Sequence, residues 1–322
     1  MEIESWIGIA AIGGASLSIG LGAIGSAVGE GYTAACASEA IGRSPDRSGD
    51  IFKNMLVGQA IAETAAIFAL LVAMMLLFTN IGQPVAITAF VLIAAGISMG
   101  FGAIGAGIGS GLPGGASCLG IDRQPAFSGK ITTNMLIGSA VCQTPAIFAL
   151  AVSFILLFTD FSLRPLLPTW AAILGAGFAA GLGAVGSGLG GGLVAQASCE
   201  GIARQPESAP VVTNVMLLGQ AVTQTTAIYG LLVSFILMFK TLPASDSLSA
   251  AMAPLGAGLC MGIGAIGPGI GEGLTAQAAV EWIAKNMKST AELTRTMLVG
   301  QAVAESTGIY SLVVALILIF VI

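Results

Sequence analysis

The chain has 322 residues, of which 56% are hydrophobic and only 8% are charged, with a formal net charge of −5 and no histidine. A soluble domain carries about 25% charged residues, so this composition cannot cover a water-facing surface and predicts a membrane protein. It offers no basic face of the kind that nucleic-acid binding requires, so we expect no nucleic-acid partner.

Eight apolar segments follow one another along the chain, and each exceeds the roughly 20 residues that span a bilayer core. The first residues, "MEIES", are acidic, unlike the start of a cleaved signal peptide, so the first segment is expected to be retained. We predict an all-α membrane protein with transmembrane helices at residues 5–42, 50–79, 85–121, 127–159, 167–202, 209–240, 248–284 and 291–321.

The segments form a fourfold repeat. Glu63, Gln143, Gln224 and Glu305 occupy one position of it, at nearly equal spacings along the chain. A fixed period indicates tandem structural units, which we place as hairpins at residues 1–80, 81–161, 162–242 and 243–322. Each has a glycine-rich first helix, such as "GLGAIGSAVGEG", and a second helix richer in Leu, Val, Ile and Phe. Small residues allow close helix approach in lipid, so we expect a glycine-rich inner layer within a ring.

The glycine pattern does not indicate a nucleotide site. A GxGxxG match needs a preceding strand and a water-exposed helix start, and no P-loop motif occurs. We therefore expect no organic cofactor.

The polar loops within the hairpins carry the basic residues. They and their flanks hold nine of the eleven Lys and Arg residues, and the opposite side holds only Arg164 and Lys240. The positive-inside rule places these loops in the cytoplasm. Because there are eight spans, both termini are then expected outside.

Two hairpins pair acids at a similar depth. Glu63 and Glu305 follow the basic residue of their hairpin loop by the same number of residues. Glu30 and Glu272 precede that basic residue by a smaller number of residues, which is also the same in both hairpins. The corresponding pairs are Ser110 with Gln143 and Gly191 with Gln224. A charge at mid-bilayer costs at least about 2.5–3.5 kcal/mol, and adjacent carboxylates repel. Each pair is therefore expected to share a proton or to hold a cation. The alternative is a protonated pair with a structural role only, which joins two helices.

A hydroxyl follows the acid position in every repeat, at Thr64, Thr144, Thr225 and Ser306. Hydroxyl, carboxylate and carbonyl oxygens are the ligands that a hard cation prefers, although such hydroxyls also bond their own helix. Gln59, Gln220 and Gln301, four residues before the acid position, lie on the same face and are expected either to bond between helices or to join the site.

Two stretches, "GPGIGEGLTAQAAVEWIA" and "GQAVAESTGIYSLVVALILIF", resemble sodium-binding F-type c subunits, and the "RQP" loops of repeats 2 and 3 resemble the F-type loop that meets the central stalk. The whole chain is similar to the c subunit, or proteolipid, of rotary F- and V-type ATPases, as four fused hairpins forming part of a rotor ring. In that family an outer-helix glutamate binds the ion with an inner-helix glutamine or glutamate. A neighbouring hairpin adds a hydroxyl and a backbone carbonyl.

The resemblance implies a set of ion-binding residues. In repeat 4 they are Glu305, Glu272 beside Pro268, Ser306, Val303, Thr307 and Tyr310, the last being the position that hydrogen-bonds the glutamate. In repeat 1 they are Glu63, Glu30, Thr64 and Ile61, where Ala65 and Phe68 depart from the pattern and imply weaker sodium protection. Gln143 and Gln224 would be silent, while Thr144 with Val141, and Thr225 with Val222, would complete a neighbour's site. Stalk-facing loop residues would be Arg43, Pro45, Arg123, Gln124, Pro125, Arg204, Gln205 and Pro206; repeat 4 departs there, with Asn286 and Met287.

The implied function is that of a non-catalytic rotor subunit, which carries Na⁺ or H⁺ and favours ATP-driven pumping because half of its hairpins lack the acid. Its expected partners are further copies in a ring, a stator subunit with an essential arginine, the central stalk and membrane lipids. Its expected location is a prokaryotic plasma membrane. A non-pumping structural or pore-forming assembly is the alternative. The uniform parallel repeats argue against a secondary transporter.

Overall fold

The computed structural model describes residues 3–79, 83–244 and 247–321, and every regular element in those ranges is a helix. The predicted boundary between residues 80 and 81 and the predicted chain limits at residues 1 and 322 lie outside the described residues. Eight helical arms are long and apolar enough to cross a membrane. The prediction of an all-α membrane protein with eight spans is confirmed.

The arms form four hairpins, numbered 1 to 4 in chain order, each with an inner helix, a short turn and an outer arm. The inner helices are α1 (Ile3–Arg43), α3 (Ala86–Arg123), α6 (Leu166–Arg204) and α9 (Leu248–Lys285). The outer arms are α2 (Ser48–Phe78), α4 (Ser128–Cys142) with α5 (Thr144–Phe158), α7 (Ala209–Thr223) with α8 (Thr225–Phe239), and α10 (Thr290–Phe320).

The turn inside each hairpin is a single 3₁₀ turn. In hairpins 1 to 3 a proline begins it, because its fixed φ suits the start of a helical turn and its missing N–H is not needed there. Hairpin 4 has Met287 at this place, and the side-chain oxygen of Asn286 accepts a hydrogen bond from the backbone N–H of Lys288 at 3.3 Å. The departure from the RQP pattern changes the chemistry of this loop but keeps its 3₁₀ turn.

The inner helices pack side by side in chain order, α1 on α3, α3 on α6 and α6 on α9. Glycine makes this contact possible. A Cβ on Gly105 would lie 2.6 Å from Cα of Val185, and one on Gly188 would lie 2.6 Å from the backbone nitrogen of Ala106. Both distances are too short for any side chain, so the backbones meet directly. The outer arms cover one side of this row, and Ser98 on α3, for example, donates to the carbonyl of Ala149 on α5 at 2.9 Å.

The outer arms of hairpins 2 and 3 are interrupted at Gln143 and Gln224, whereas the sequence predicted one helix in each case. Both glutamines keep right-handed backbone angles, so the arm continues in the same direction. In hairpin 2, Pro145 has no N–H to donate to the preceding turn. In hairpin 3, the hydroxyl of Thr225 donates to the carbonyl of Val222 at 2.9 Å and competes with the helix for that acceptor.

Candidate ion-binding sites

Glu272 on α9 and Glu305 on α10 form the most enclosed acidic pair in the described residues, called here the Glu305 site. Their helices meet at this level: a Cβ on Gly308 would lie 3.4 Å from Cγ of Pro268, and one on Gly271 would lie 3.5 Å from Cβ of Ala304. Glu272 is fully buried, and neither of its carboxyl oxygens has a hydrogen-bond partner within the part of the chain that the structure describes.

The partner of Glu305 comes from the preceding hairpin. The hydroxyl of Tyr229 on α8 donates to Oε1 of Glu305 at 2.5 Å. The interruption of the outer arm at Gln224 lies one helical turn before Tyr229. Thr225, next to the interruption, is half-buried, and Thr226 is buried. The hydroxyl of Tyr229 therefore joins hairpin 3 to the acid of hairpin 4, while the hydroxyls of Thr225 and Thr226 donate to carbonyls of their own arm.

The oxygen groups at this site suit a hard cation better than a soft transition metal. No group of three or more Cys, Asp or Glu side chains placed to hold a metal ion occurs in residues 3–79, 83–244 and 247–321. A cation at the Glu305 site would be held by two carboxylates together with hydroxyl or carbonyl oxygens, which are hard ligands. Burying the carboxylates ionised and unpaired would be costly, so the unpartnered oxygens of Glu272 call for a proton or a cation.

At the glutamine positions the amide nitrogens bond oxygen acceptors without an ion, while Oε1 of Gln143 is buried without a partner among the described residues. Nε2 of Gln143 donates to Oγ of Ser110 at 2.7 Å and to the carbonyl oxygen of Ile61, in hairpin 1, at 2.9 Å. Nε2 of Gln224 donates to the carbonyl oxygen of Val141, in hairpin 2, at 3.4 Å. The neutral amide nitrogens of Gln143 and Gln224 thus bond backbone oxygens of the preceding hairpin.

The glutamines one turn earlier bond between helices, as one of the two sequence-based alternatives predicted. Gln220 donates to the carbonyls of Gly138 (2.9 Å) and Gly191 (3.0 Å). Gln301 donates to those of Gly219 (3.1 Å) and Glu272 (3.2 Å). Each therefore joins its own inner helix to the preceding hairpin. Gln59 makes the first of these contacts, to the carbonyl of Glu30 at 3.3 Å.

Within the chain, the hydroxyl that bonds Glu305 belongs to Tyr229 of the preceding hairpin, while Tyr310 is 66% exposed. Val303 is 67% exposed, and its carbonyl accepts from Ser306 at 2.7 Å. Thr307 donates to the carbonyl of Ala304 at 3.1 Å. The ion-binding roles of Tyr310, Val303 and Thr307 stay predictions.

The ion-binding residues predicted for hairpin 1 lie on the first hairpin of the row, and their roles also stay predictions. Glu63 is exposed and Glu30 is half-buried on a hairpin that has a neighbour on one side only within this chain. The carbonyl of Ile61, assigned to this pair, accepts from Gln143 instead. Thr64 donates to the carbonyl of Ala60 at 3.1 Å. Ile61 thus takes part in the contact with hairpin 2, whereas the hydroxyl of Thr64 bonds its own helix.

Charged residues gather at the loop ends of the inner helices. Arg204 reaches Glu200 and Glu281, each at 3.3 Å, and the second pair joins hairpin 3 to hairpin 4. Lys285 also contacts Glu281, at 2.8 Å. Arg43 pairs with Glu39 one turn away on the same helix. These exposed pairs contribute little to stability and leave a water-facing polar end.

Sequence reasoning missed Tyr229. Its equivalent in hairpin 4, Tyr310, follows an acid, whereas Tyr229 follows a glutamine. The sequence signal for Tyr229 is that only hairpins 3 and 4 have tyrosine at this position, while the other two have Phe68 and Phe148.

Known relatives agree with this fourfold arrangement. A family model described as the ATP synthase C subunit matches residues 8–76, 93–156, 174–237 and 255–318. The ATP synthase c subunit of Petrotoga mobilis is 58% identical over 67 residues, which cover 21% of this chain and 70% of that protein. The A-type ATP synthase K subunit of Methanocaldococcus jannaschii is 29% identical over 225 residues, covering 70% of this chain and 94% of that protein. Because one match falls in each hairpin, this chain belongs to the ATP synthase C subunit family, as a member with four fused hairpins.

Proposed function

We propose that this chain is a non-catalytic rotor subunit that carries ions on Glu63 and Glu305 and none on Gln143 and Gln224. The observation that supports this most is the Glu305 site, where the buried oxygens of Glu272 lie unpartnered near a second carboxyl. At the equivalent position of hairpin 2 the amide of Gln143 donates to Ser110 at 2.7 Å and joins two helices, whereas neither carboxyl oxygen of Glu272 has a partner among the described residues. A cation or an extra proton satisfies these oxygens and removes the cost of the buried charge.

Sodium is the proposed ion. The Glu305 site has two carboxylates and the hydroxyl of Tyr229, with Thr225 and Thr226 on the same element. Oxygen ligands of this kind suit a hard cation, whereas proton carriage needs a single carboxylate. Proton carriage is the alternative that the experiment below separates.

The proposed assembly places copies of the chain in a ring in a prokaryotic plasma membrane. The basic loops face the cytoplasm by the positive-inside rule, where they meet the central stalk, and both termini lie outside. A stator subunit with an essential arginine displaces the ion from each glutamate. Lipids cover the apolar outer arms, where Ile67, Leu71 and Val314, among others, are exposed.

The missing acids favour ATP-driven pumping. Two of the four acid positions hold glutamine, so one turn of such a ring moves half as many ions as a ring of equal size with every acid present. Each ion moved against 100 mV costs about 2.3 kcal/mol. Fewer ions per ATP allow hydrolysis to sustain a steeper gradient, and they make synthesis require a larger one.

The test is labelling by a hydrophobic carbodiimide, which modifies protonated buried carboxyls, followed by peptide mass spectrometry on the assembled membrane protein. We expect modification at Glu63 and Glu305 and slower modification when sodium is added at constant pH. Labelling that responds to pH alone would assign a proton site. Labelling of neither residue would favour a structural assembly, and the Glu305→Gln variant controls for the identity of the modified peptide.

A further inference from the structure

Hairpin 3 has no side chain at a position where each of the other hairpins has an oxygen-bearing one. On the inner helices, hairpins 1, 2 and 4 have Glu30, Ser110 and Glu272 at this position, and hairpin 3 has Gly191. In hairpin 2, Oγ of Ser110 accepts a hydrogen bond from Nε2 of Gln143 at 2.7 Å. The glycine therefore removes an oxygen acceptor from the interior of hairpin 3.

The backbone at Gly191 is buried, but it has space beside it. A Cβ built on Gly191 would have as its nearest atoms Sγ of Cys142 at 3.5 Å, Nε2 of Gln220 at 3.7 Å and Oγ1 of Thr223 at 3.8 Å. Every other glycine of α6 has an atom within 3.3 Å of a built Cβ. The three nearest atoms at Gly191 are polar or sulfur atoms of side chains, so the space has a polar lining.

The side-chain amide of Gln224 has fewer acceptors than that of Gln143. Nε2 of Gln143 donates to the carbonyl oxygen of Ile61 at 2.9 Å and to Ser110. Among the described residues, Nε2 of Gln224 donates only to the equivalent carbonyl, that of Val141, at 3.4 Å. Its second N–H therefore lacks the acceptor that Ser110 provides in hairpin 2.

Two buried polar atoms near Gly191 have no hydrogen-bond partner among the described residues. Oγ of Ser187, a residue that is 1% exposed, lies one turn before Gly191 on the same face of α6. Its equivalent in hairpin 1, Ser26, donates to the carbonyl of Ala62 on the outer arm at 2.8 Å, so this position faces the outer arm. The other atom is Oε1 of Gln220, which is fully buried.

These groups suit a water molecule better than a cation. A buried water makes about three hydrogen bonds to polar groups that are otherwise unpaired, and it both donates and accepts. Gln224 and Ser187 have N–H and O–H groups to donate, and Oε1 of Gln220 accepts. A cation would meet the N–H of Gln224 and would find neither an inner nor an outer carboxylate in hairpin 3 to balance its charge.

We propose that hairpin 3 binds one water molecule beside Gly191, at the place that Oγ of Ser110 occupies in hairpin 2. The water accepts from Nε2 of Gln224 and from the hydroxyl of Ser187, and it donates to Oε1 of Gln220. It joins the interrupted outer arm to α6 and keeps this hairpin polar but uncharged. The inference concerns a hairpin without an acid, so it does not depend on which ion the glutamates carry.

The first test measures transfer of magnetisation from water protons to side-chain amide nitrogens by solid-state NMR, on the assembled protein in lipid and sodium-free buffer. The Gln224 signal is identified by its loss in Gln224→Leu. We expect transfer to Gln224 in the wild type and its loss in Gly191→Ser, where the new hydroxyl takes the place of the water. The Gln143 amide is the internal control and should not change. The absence of transfer to Gln224 in the wild type, or its persistence in Gly191→Ser, overturns the proposal.

The second test compares the unfolding midpoints of Gly191→Ser and Gly191→Ala in denaturant. The methyl group of alanine excludes the water without replacing its hydrogen bonds, whereas the hydroxyl of serine replaces them. Alanine is the better helix former, so a higher midpoint for Gly191→Ser cannot come from helix propensity and supports the water site. A midpoint for Gly191→Ala equal to or above that of Gly191→Ser overturns it.

Discussion

The hydroxyl of Tyr229 lies 2.5 Å from Oε1 of Glu305, although the two residues are 76 positions apart and belong to different hairpins. In this chain, the tyrosine five residues after Gln224 donates a hydrogen bond to the acid of the next hairpin. A substitution in one hairpin is therefore expected to act on the site of its successor.

The inner carboxyl of the Glu305 site is expected to act as an oxygen ligand. In Glu272→Gln the amide oxygen remains as a ligand, so sodium should still slow the labelling of Glu305. In Glu272→Leu, which has a similar size, no oxygen remains and sodium protection should be lost. Labelling of Glu305 across a sodium titration measures both variants, and equal protection in the two would show that Glu272 is not a ligand.

The silent position of hairpin 2 is expected to stabilise the fold. Gln143→Leu removes the hydrogen bonds that the amide donates to Ser110 and to the carbonyl of Ile61. Each lost hydrogen bond costs about 0.5–1.5 kcal/mol, so the variant should unfold at a lower denaturant concentration in detergent. The labelling rate of Glu305 is the control and should not change. A variant as stable as the wild type would count against a bonding role for Gln143.

Restoring the missing acids is expected to require tyrosines on the preceding hairpins. The variant Gln143→Glu plus Gln224→Glu, with Ser110→Glu and Gly191→Glu, should gain carboxyls that react with carbodiimide. Sodium protection of these new carboxyls should appear only after Phe68→Tyr and Phe148→Tyr are added. A Cβ on Gly191 would make only ordinary contacts, the shortest being 3.5 Å to Sγ of Cys142. Sodium protection without the added tyrosines would contradict the requirement for a hydroxyl from the preceding hairpin.

Transport by the restored protein tests the pumping bias. In reconstituted vesicles the tyrosine-containing variant should move more ions per ATP and reach a smaller limiting gradient than the wild type, because every hairpin then carries an ion. An unchanged ratio, with sodium bound at the new acids, would refute the account of the missing carboxylates.

The glycine contacts between inner helices are expected to be intolerant of a methyl group. Gly105→Ala places Cβ 2.6 Å from Cα of Val185, a backbone atom that cannot move alone. Overpacking of this kind costs about 1–3 kcal/mol or more, so this variant should lose stability or fail to assemble. The matched control is Gly129→Ala near the start of α4, where nothing lies within 4 Å. Its stability should stay within about 1 kcal/mol of the wild type. Equal behaviour of the two variants would contradict the close packing.

The eight spans, the fourfold period and the exceptional Glu63 and Glu305 could be predicted from the sequence. Span length and repeat spacing are local properties of the chain, and an acid in an apolar segment is conspicuous wherever the segment packs. The interruption of the outer arm at Gln143 could also have been predicted from Pro145. The interruption at Gln224 depends on a hydroxyl hydrogen bond to a backbone carbonyl, which no local sequence pattern predicts.

The tertiary structure decided which hairpin serves which acid. The sequence places Tyr310 shortly after Glu305 on the same helix, yet a residue five positions further along a helix points to a different side from the acid. Glu305 instead meets Tyr229, because close glycine contacts hold the inner helices in chain order and bring the flank of hairpin 3 against the acid of hairpin 4. The pairing of Tyr229 with Glu305 depends on which sides of hairpins 3 and 4 face each other. Packing between segments one whole repeat apart in the chain determines which sides these are.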